Sequence, residues 1–159
     1  MTKKILVILL ILSNISCDQI SKEIVRSSIH SNSYIKVLND NLILTKVENT
    51  GAALGLGENL PPITKKVFLN ILPALVLLFL TYRVLTHKKT NKYTLIAFSF
   101  IIGGGFGNII DRFLYGSVTD FLHLKFGFLK TGIFNLADIS VTLGAVTILF
   151  LSLLKKNEI

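Results

Sequence analysis

The chain has 159 residues, of which 51% are apolar and 16% charged, and its mean hydropathy is +0.64. Soluble domains carry about 25% charged residues, so this composition excludes an ordinary soluble domain, and the length fits one compact membrane unit rather than two domains. The net charge is +8, yet Lys and Arg lie between and beside apolar runs, the places of topology determinants and lipid-headgroup contacts, not on an aromatic-rich soluble face; no nucleic-acid partner is expected.

A spanning helix needs about 20 mostly apolar residues. The first candidate covers about 5–25 and opens ILVILLILSNISCDQI, apolar in its first half and polar in its second. Asp18 and Lys22 stand four apart there, so they share a helix face and can pair. The Lys3-Lys4 pair, the apolar stretch Ile5–Leu12 and Ser16-Cys17 also have the look of a lipoprotein signal peptide, with Cys17 as the modified residue. Asn14, where such signals favour an apolar residue, and the DQISK that follows speak against cleavage. Cys17 is the only cysteine, which rules out an intrachain disulfide.

The next segment, 27–66, holds YIKVL and NLILTKV around Asn39-Asp40-Asn41. Short β-branched runs about an Asn/Asp turn predict a hairpin, hence a small sheet on the membrane surface. ENTGAALGLGENLPP follows, and the loop Ala52–Pro61, flexible in composition, is expected to fold over a bound substrate. Three further spans are predicted over about 67–85, 93–110 and 133–154. Lys3, Lys4, Arg83, His87, Lys88, Lys89, Lys92, Lys155 and Lys156 fall on one side of a four-span arrangement, which the charge rule makes cytoplasmic. Segments 27–66 and 111–132 then face outward. Lys65 and Lys66, at the outer end of the second span, run against the bias without reversing it. His30, His87 and His123 are scattered, and no metal site is expected.

Three aspartates lie near outward ends of spans: Asp111 in GGGFGNIIDR, Asp120 in SVTDF and Asp138 in FNLAD. A carboxylate in an apolar run is costly unless paired or hydrogen-bonded. Each alone has an ordinary structural reading: a partner for the helix dipole, an ion pair, or a turn cap. Together with Asn108 and Asn135 on the same membrane face, they suggest a pair of acids that share a proton and activate water. Gly103 and Gly107 form a GxxxG, which permits close helix packing.

Five motifs in order, DQISK at 18–22, ENTGAALG at 48–55, GGGFGNIIDR at 103–112, SVTDF at 117–121 and FNLAD at 134–138, resemble the pattern of the bacterial lipoprotein signal peptidases (signal peptidase II) over nearly the whole chain. The resemblance implies an all-α membrane fold, a single domain over 1–159 with four transmembrane helices and a small extracytoplasmic β-sheet between helices 1 and 2. It implies an aspartic endopeptidase of the bacterial inner membrane, with both termini cytoplasmic and the active site near the outer face. Its substrates would be prolipoproteins cleaved before a diacylglyceryl cysteine, with no cofactor. The family's catalytic pair falls on Asp120 and Asp138. Asp18, Lys22, Asn49, Gly51, Ala52, Gly104, Asn108, Asp111, Arg112, Asn135 and Ala137 match its other characteristic positions and are expected to hold the pair and the substrate. Leu54 and Ile139 depart from the usual Phe and small polar residue. A monomer in contact with membrane lipid is expected. The rival readings are a small transporter or channel subunit, against which stand the absence of an inverted repeat and the clustering of the acids at one face, and a non-catalytic lipoprotein anchored through Cys17.

Overall fold

The computed structural model describes residues 3–38, 41–87 and 90–156. Asn39, Asp40, Lys88 and Lys89, to which the hairpin turn and part of the basic link were assigned, lie outside the described residues. Among the described residues, four helices are long and apolar enough to cross a membrane: α1 (Lys3–Ser28), α2 (Pro62–Thr86), α3 (Lys92–Tyr115) and α4 (Leu136–Lys156). Strands β1 (Ile35–Leu38) and β2 (Leu42–Asn49) join α1 to α2; β3 (Val118–Phe126) and β4 (Leu129–Phe134) join α3 to α4. The two hairpins merge into one antiparallel sheet of order β1-β2-β3-β4. The expected hairpin between the first two spans is therefore half of a larger sheet. Its other half comes from 118–134, where VTDFLHLKF is rich in strand-forming residues. At the opposite ends of the helices, Lys3, Lys4 and His87 gather around one pocket, as the charge pattern predicted.

Each long helix differs from its expected bounds for a local reason. α3 begins on Asn91, whose side chain accepts from the Tyr93 N–H, and ends on Gly116 in the left-handed conformation at φ 76°. α2 starts at Pro62, five residues before the apolar run, and contains a π-helical turn over Lys66–Ile71. Pro73 lacks an N–H for the Leu69 carbonyl, and its ring crowds that turn. The wider turn, in which the Leu72 N–H reaches the Val67 carbonyl, absorbs the misfit. α4 starts at Leu136 rather than 133, because Ile133 and Phe134 complete β4 and Asn135 ends the extended chain. Asp138 thus stands in the first turn of its helix.

α3 is the central helix, and its glycine run makes it so. Successive residues of a helix point about 100° apart, and Gly103, Gly104 and Gly105 each face a different neighbour. A Cβ on Gly103 would meet Asn14 of α1, one on Gly104 the Ala137 carbonyl of α4, and one on Gly105 the Leu77 side chain of α2. Gly107 does the same one turn later, where a Cβ would lie 2.5 Å from an Asp18 carboxylate oxygen. The GxxxG is thus one edge of a three-sided packing surface. Among the apolar contacts, Val7 and Ile11 of α1 pack with Leu95 and Ile102 of α3.

Beneath the sheet the packing turns ionic. The α1 stripe Val7, Ile11, Asp18, Lys22, Val25 is buried along one face, and its lower part carries charge. Lys22 Nζ lies 2.8 Å from Asp18, 3.2 Å from Asp111 and 2.9 Å from the Asn108 side-chain oxygen, so all three ammonium hydrogens are taken. Arg26 pairs with Asp111 at 2.8 Å and stacks on the Tyr115 ring at 4.0 Å. Gln19 donates to Asp18, Asp111 and the Gly107 carbonyl. Two acids and two bases neutralise one another, with Asp18, Lys22 and Asp111 fully shielded from solvent.

The first span is an integral helix in this arrangement. It runs unbroken through Cys17, and residues upstream of it pack: Val7 and Ile11 are buried, and Asn14 accepts from Ser140 Oγ at 2.7 Å. Cys17 itself is exposed.

Removing one member of a buried ion cluster strands the others and costs about 3–5 kcal/mol. Lys22→Met is expected to lower the thermal midpoint in detergent by several degrees, and adding Asp18→Asn is expected to recover part of that loss. A midpoint unchanged by Lys22→Met would show that the cluster does not hold α1 to α3.

Candidate active site

The last residue of β4 is followed by Asn135, and the next three residues begin α4 in a reciprocal cap. The Asn135 side-chain oxygen accepts the Asp138 N–H at 3.0 Å, and the Asp138 carboxylate accepts the Asn135 N–H at 3.1 Å. This is the geometry of a capping box, with Asn and Asp in place of the usual Ser and Glu. It satisfies two otherwise unpaired backbone donors and fixes the Asp138 side chain to its helix end. The neighbouring Ala137 N–H donates to Asp18 at 2.9 Å, so the buried ion cluster caps the same turn from behind. Ala137 has no room for a larger side chain: it is fully buried beside Gly104 and Gly107.

Asp120 arrives from the sheet. It sits on β3, paired with Val47 of β2, and is 4% exposed. One carboxylate oxygen accepts from Asn135 Nδ2 at 2.6 Å, the other from Asn49 Nδ2 at 3.1 Å. Asp138 completes its bonding with Asn108 Nδ2 at 2.8 Å. Asn135 therefore touches both acids, by its side-chain amide on Asp120 and by its backbone N–H on Asp138. The orientation of Asn108 follows from Lys22. An ammonium group only donates, so the Asn108 oxygen must face it and the amide nitrogen must face Asp138. Burial pushes the Asp120 carboxyl up to about 6, helped by the Asp138 charge and opposed by the hydrogen bonds from Asn49 and Asn135 and by the Lys22 charge.

Both aspartates open onto one cleft of about 520 Å³ between α2, α3, α4 and the sheet. Its floor is polar, with Asn49, Asn108 and Arg112 beside the two acids; its walls are apolar, among them Phe68, Leu69, Ile133 and Val141. The π-helical turn of α2 supplies Phe68 and Leu69. The loop 50–61 is a series of tight turns, anchored where Asn49 Oδ1 accepts the Gly51 N–H and Arg112 donates to the Gly51 carbonyl at 2.9 Å. Gly51 admits no side chain, since a Cβ there would lie 2.7 Å from the backbone of Gly55 and Leu56. Leu54, left-handed at φ 58°, reaches across the cleft to Gly132 of β4.

Of the residues singled out from the sequence, Asn49, Ala52, Asn108, Arg112, Asp120 and Asp138 line the cleft, and Asn135 lies buried between the acids. Asp18, Lys22 and Asp111 stand behind it in the ion cluster. Gly51 shapes the loop, while Gly104 and Ala137 set the α3–α4 approach. Sequence reasoning missed Gln19, Arg26 and Glu48. Arg26 is four residues beyond Lys22 on the same stripe, a visible signal. Glu48, first residue of the ENTGAALG motif, accepts from the hydroxyls of Ser117 and Thr119 at 2.6 and 3.0 Å and locks β2 to the start of β3. The apolar walls carry no signal in the sequence, because they look like any other span residues.

A family model described as signal peptidase (SPase) II matches residues 9–154. A lipoprotein signal peptidase from Borrelia turicatae (strain 91E135) is 36% identical over 147 residues, covering 89% of this chain and 85% of that protein. Two solved structures described as bacterial membrane enzymes superpose on it. One has a TM-score of 0.82 at 31% identity, covering 95% of this chain and 88% of the other; the second has 0.77 at 30% identity, covering 92% of each. With a family match over most of its length and a relative of the same family aligned over 89% of it, the chain belongs to the signal peptidase II family.

Proposed function

We propose that this protein is an aspartic endopeptidase of the bacterial inner membrane that removes the signal peptide from prolipoproteins, cleaving before the diacylglyceryl cysteine with Asp120 and Asp138 as the catalytic pair. The observation that carries the reading is the convergence of these two acids, from a strand and from a helix N-terminus, on opposite sides of Asn135 at the floor of one cleft. The family membership and the name of the Borrelia relative support the substrate class. The termini face the cytoplasm and the sheet faces outward, in keeping with the charge pattern.

Two close carboxylates do not both ionise readily, so the pair holds one proton. Burial and the Asp138 charge raise the Asp120 carboxyl to about 6, which favours Asp120 as the member that takes up that proton. Asp138 takes a proton from a water as the water oxygen attacks the scissile carbonyl carbon. Asp120 gives its proton to the carbonyl oxygen, which yields a gem-diol. Asp138 then passes its proton to the departing amide nitrogen as the C–N bond breaks, and a gem-diol hydroxyl returns a proton to Asp120. The products are a new carboxyl terminus on the signal peptide and a free amine on the cysteine. Asn108, held by Lys22, keeps Asp138 aimed at the water, and Asn49 and Asn135 keep Asp120 aimed at the carbonyl. The apolar walls receive the signal-peptide helix from the bilayer side.

Asp120→Asn and Asp138→Asn are each expected to lower the cleavage of a diacylglyceryl-modified prolipoprotein by about 10²–10⁴-fold, with folding checked by thermal unfolding. A folded variant of either that retains near-full turnover rules out the pair. The pH dependence of stability gives a second check. A folded-state value near 6, above the ordinary 3.8 of an aspartate, means that wild-type stability is intact below about pH 4 and falls by roughly 2–3 kcal/mol up to about pH 6, where the unfolded chain's carboxyl is ionised and folded Asp120 still holds its proton. Asp120→Asn lacks this loss, so its midpoint is expected to gain several degrees on wild type between pH 4 and pH 7. Parallel curves for the two proteins would mean that Asp120 ionises as an ordinary carboxylate.

A further inference from the structure

Lys65 and Lys66 have no part in the cleft chemistry and oppose the charge rule that orients the rest of the chain, since they place two cations at the sheet-side end of α2. They flank a second pocket of about 530 Å³, on the other side of Arg112 from the catalytic cleft. It lies between the first turns of α2, the start of the 50–61 loop and the end of α3. Among the described residues that line it there are three cations, Lys65, Lys66 and Arg112, and no carboxylate. Thr50 and Asn70 add polar side chains to its lining.

The cations are under-used. Lys65 reaches only the Thr50 hydroxyl, at 3.4 Å, and Lys66 has no hydrogen-bond or ion-pair partner among the described residues. Arg112 spends Nη2 on the Gly51 carbonyl, but its Nε is buried without a hydrogen-bond partner. A guanidinium and two ammonium groups around one pocket match the hydrogen-bonding needs of a phosphate group.

We propose that this pocket binds the phosphate group of an anionic phospholipid from the leaflet on the sheet side. The required chemistry is a phosphate ester with net negative charge; a zwitterionic headgroup brings a cation into a pocket already holding three. The lipid is favoured over free phosphate by the walls. Leu60, Leu69 and Phe113 line the pocket, Ile63 of α2 beside it is 79% exposed, and Val67 and Leu75 farther along α2 are exposed as well. Acyl chains have an apolar path leading away from the headgroup site. The pocket shares Arg112 and Leu69 with the cleft, but the proposal does not rest on the peptidase reading, since neither Asp120 nor Asp138 enters it.

The test is lipid binding by the full chain in detergent, read by native mass spectrometry. Phosphatidylglycerol and phosphatidylcholine with the same acyl chains are titrated in turn, with inorganic phosphate as a competitor. Wild type is expected to retain one phosphatidylglycerol in preference to phosphatidylcholine. A surface-proximal lysine contributes roughly fivefold to anionic-lipid affinity, so Lys66→Gln alone is expected to weaken binding about fivefold and Lys65→Gln with Lys66→Gln about 25-fold. Lys66 is exposed, and its single substitution keeps the test decisive if the double variant does not fold. Lys3→Gln with Lys4→Gln, at the other end of the molecule, is expected to leave that binding unchanged. Equal retention of the two lipids, an equal loss from the Lys3 and Lys4 variant, or no loss from Lys66→Gln would overturn the proposal. Displacement of the lipid by inorganic phosphate at comparable concentration would assign the pocket to free phosphate instead.

Discussion

Lys22 brings an ammonium group into the membrane-embedded part of the protein and must find three acceptors there. Each acceptor sits on a defined element: Asp18 one turn back on α1, and Asn108 and Asp111 one turn apart on α3. Satisfying the charge therefore sets the rotation and axial register of α1 against α3. A slip of one residue would leave a buried cation without partners, at a cost several times larger than an apolar contact can offset. Because Lys22 takes the Asn108 oxygen, it also dictates which face of that amide is turned to Asp138. One desolvated charge thus orders two helices and then a hydrogen bond at the floor of the cleft.

The second constraint is the junction at Asn135. β4 must stop and α4 must start within a single residue, and the reciprocal cap with Asp138 accomplishes that. The same side chain reaches Asp120 across the cleft floor. The two acids are thus held by secondary structure rather than by loop conformation: Asp120 by the register of β3 against β2, Asp138 by the first turn of a long helix. The glycines of α3 complete the arrangement. Without close approach at Gly104 and Gly107, Ala137 and the cap would stand away from Asp18, and the link between ion cluster and cleft would be broken. Small displacements of reacting groups are costly, so support of this kind suits the proton-transfer pair proposed above.

Much of this was legible in the sequence. Apolar runs of spanning length gave four helices, and the spacing of Asp18 and Lys22 gave their pairing. The motif order brought together the residues that line the cleft. The second hairpin was not legible as such, because 118–134 lies between two spans and its alternation is interrupted at the irregular register between His123 and Lys125. Ile133 and Phe134 read as the start of a helix because an apolar pair fits either a span or a strand; the decision is made by Asn135, whose capping role depends on a partner three residues on. The π-helical turn of α2 was hidden for a similar reason. Pro73 signals a disturbance but not its form, and the wider turn appears only when the helix must stay continuous across the bilayer.

A hydrolase embedded among apolar helices has to admit both water and a hydrophobic substrate without letting one exclude the other. The fold meets this by building its cleft where helical bundle and sheet meet. Asp138 belongs to the first turn of a spanning helix and Asp120 to a strand of the sheet, so the acids lie where the helical bundle meets the sheet. Asn49, Asn108 and Arg112 give the cleft its polar floor, whereas Phe68, Leu69 and Val141 supply apolar walls. On the function proposed above, an apolar signal-peptide helix would lie along those walls with its first extended residues at the acids. Leu54, lying across to Gly132, stands where that entering chain would pass, and the turns behind it are held by the Asn49–Gly51 and Arg112–Gly51 hydrogen bonds rather than by a core of their own. Because Asn49 bonds this loop at Gly51 and Ala52 and also the carboxylate of Asp120, any substrate that pressed on the loop would, on the proposed reading, be felt at the acid.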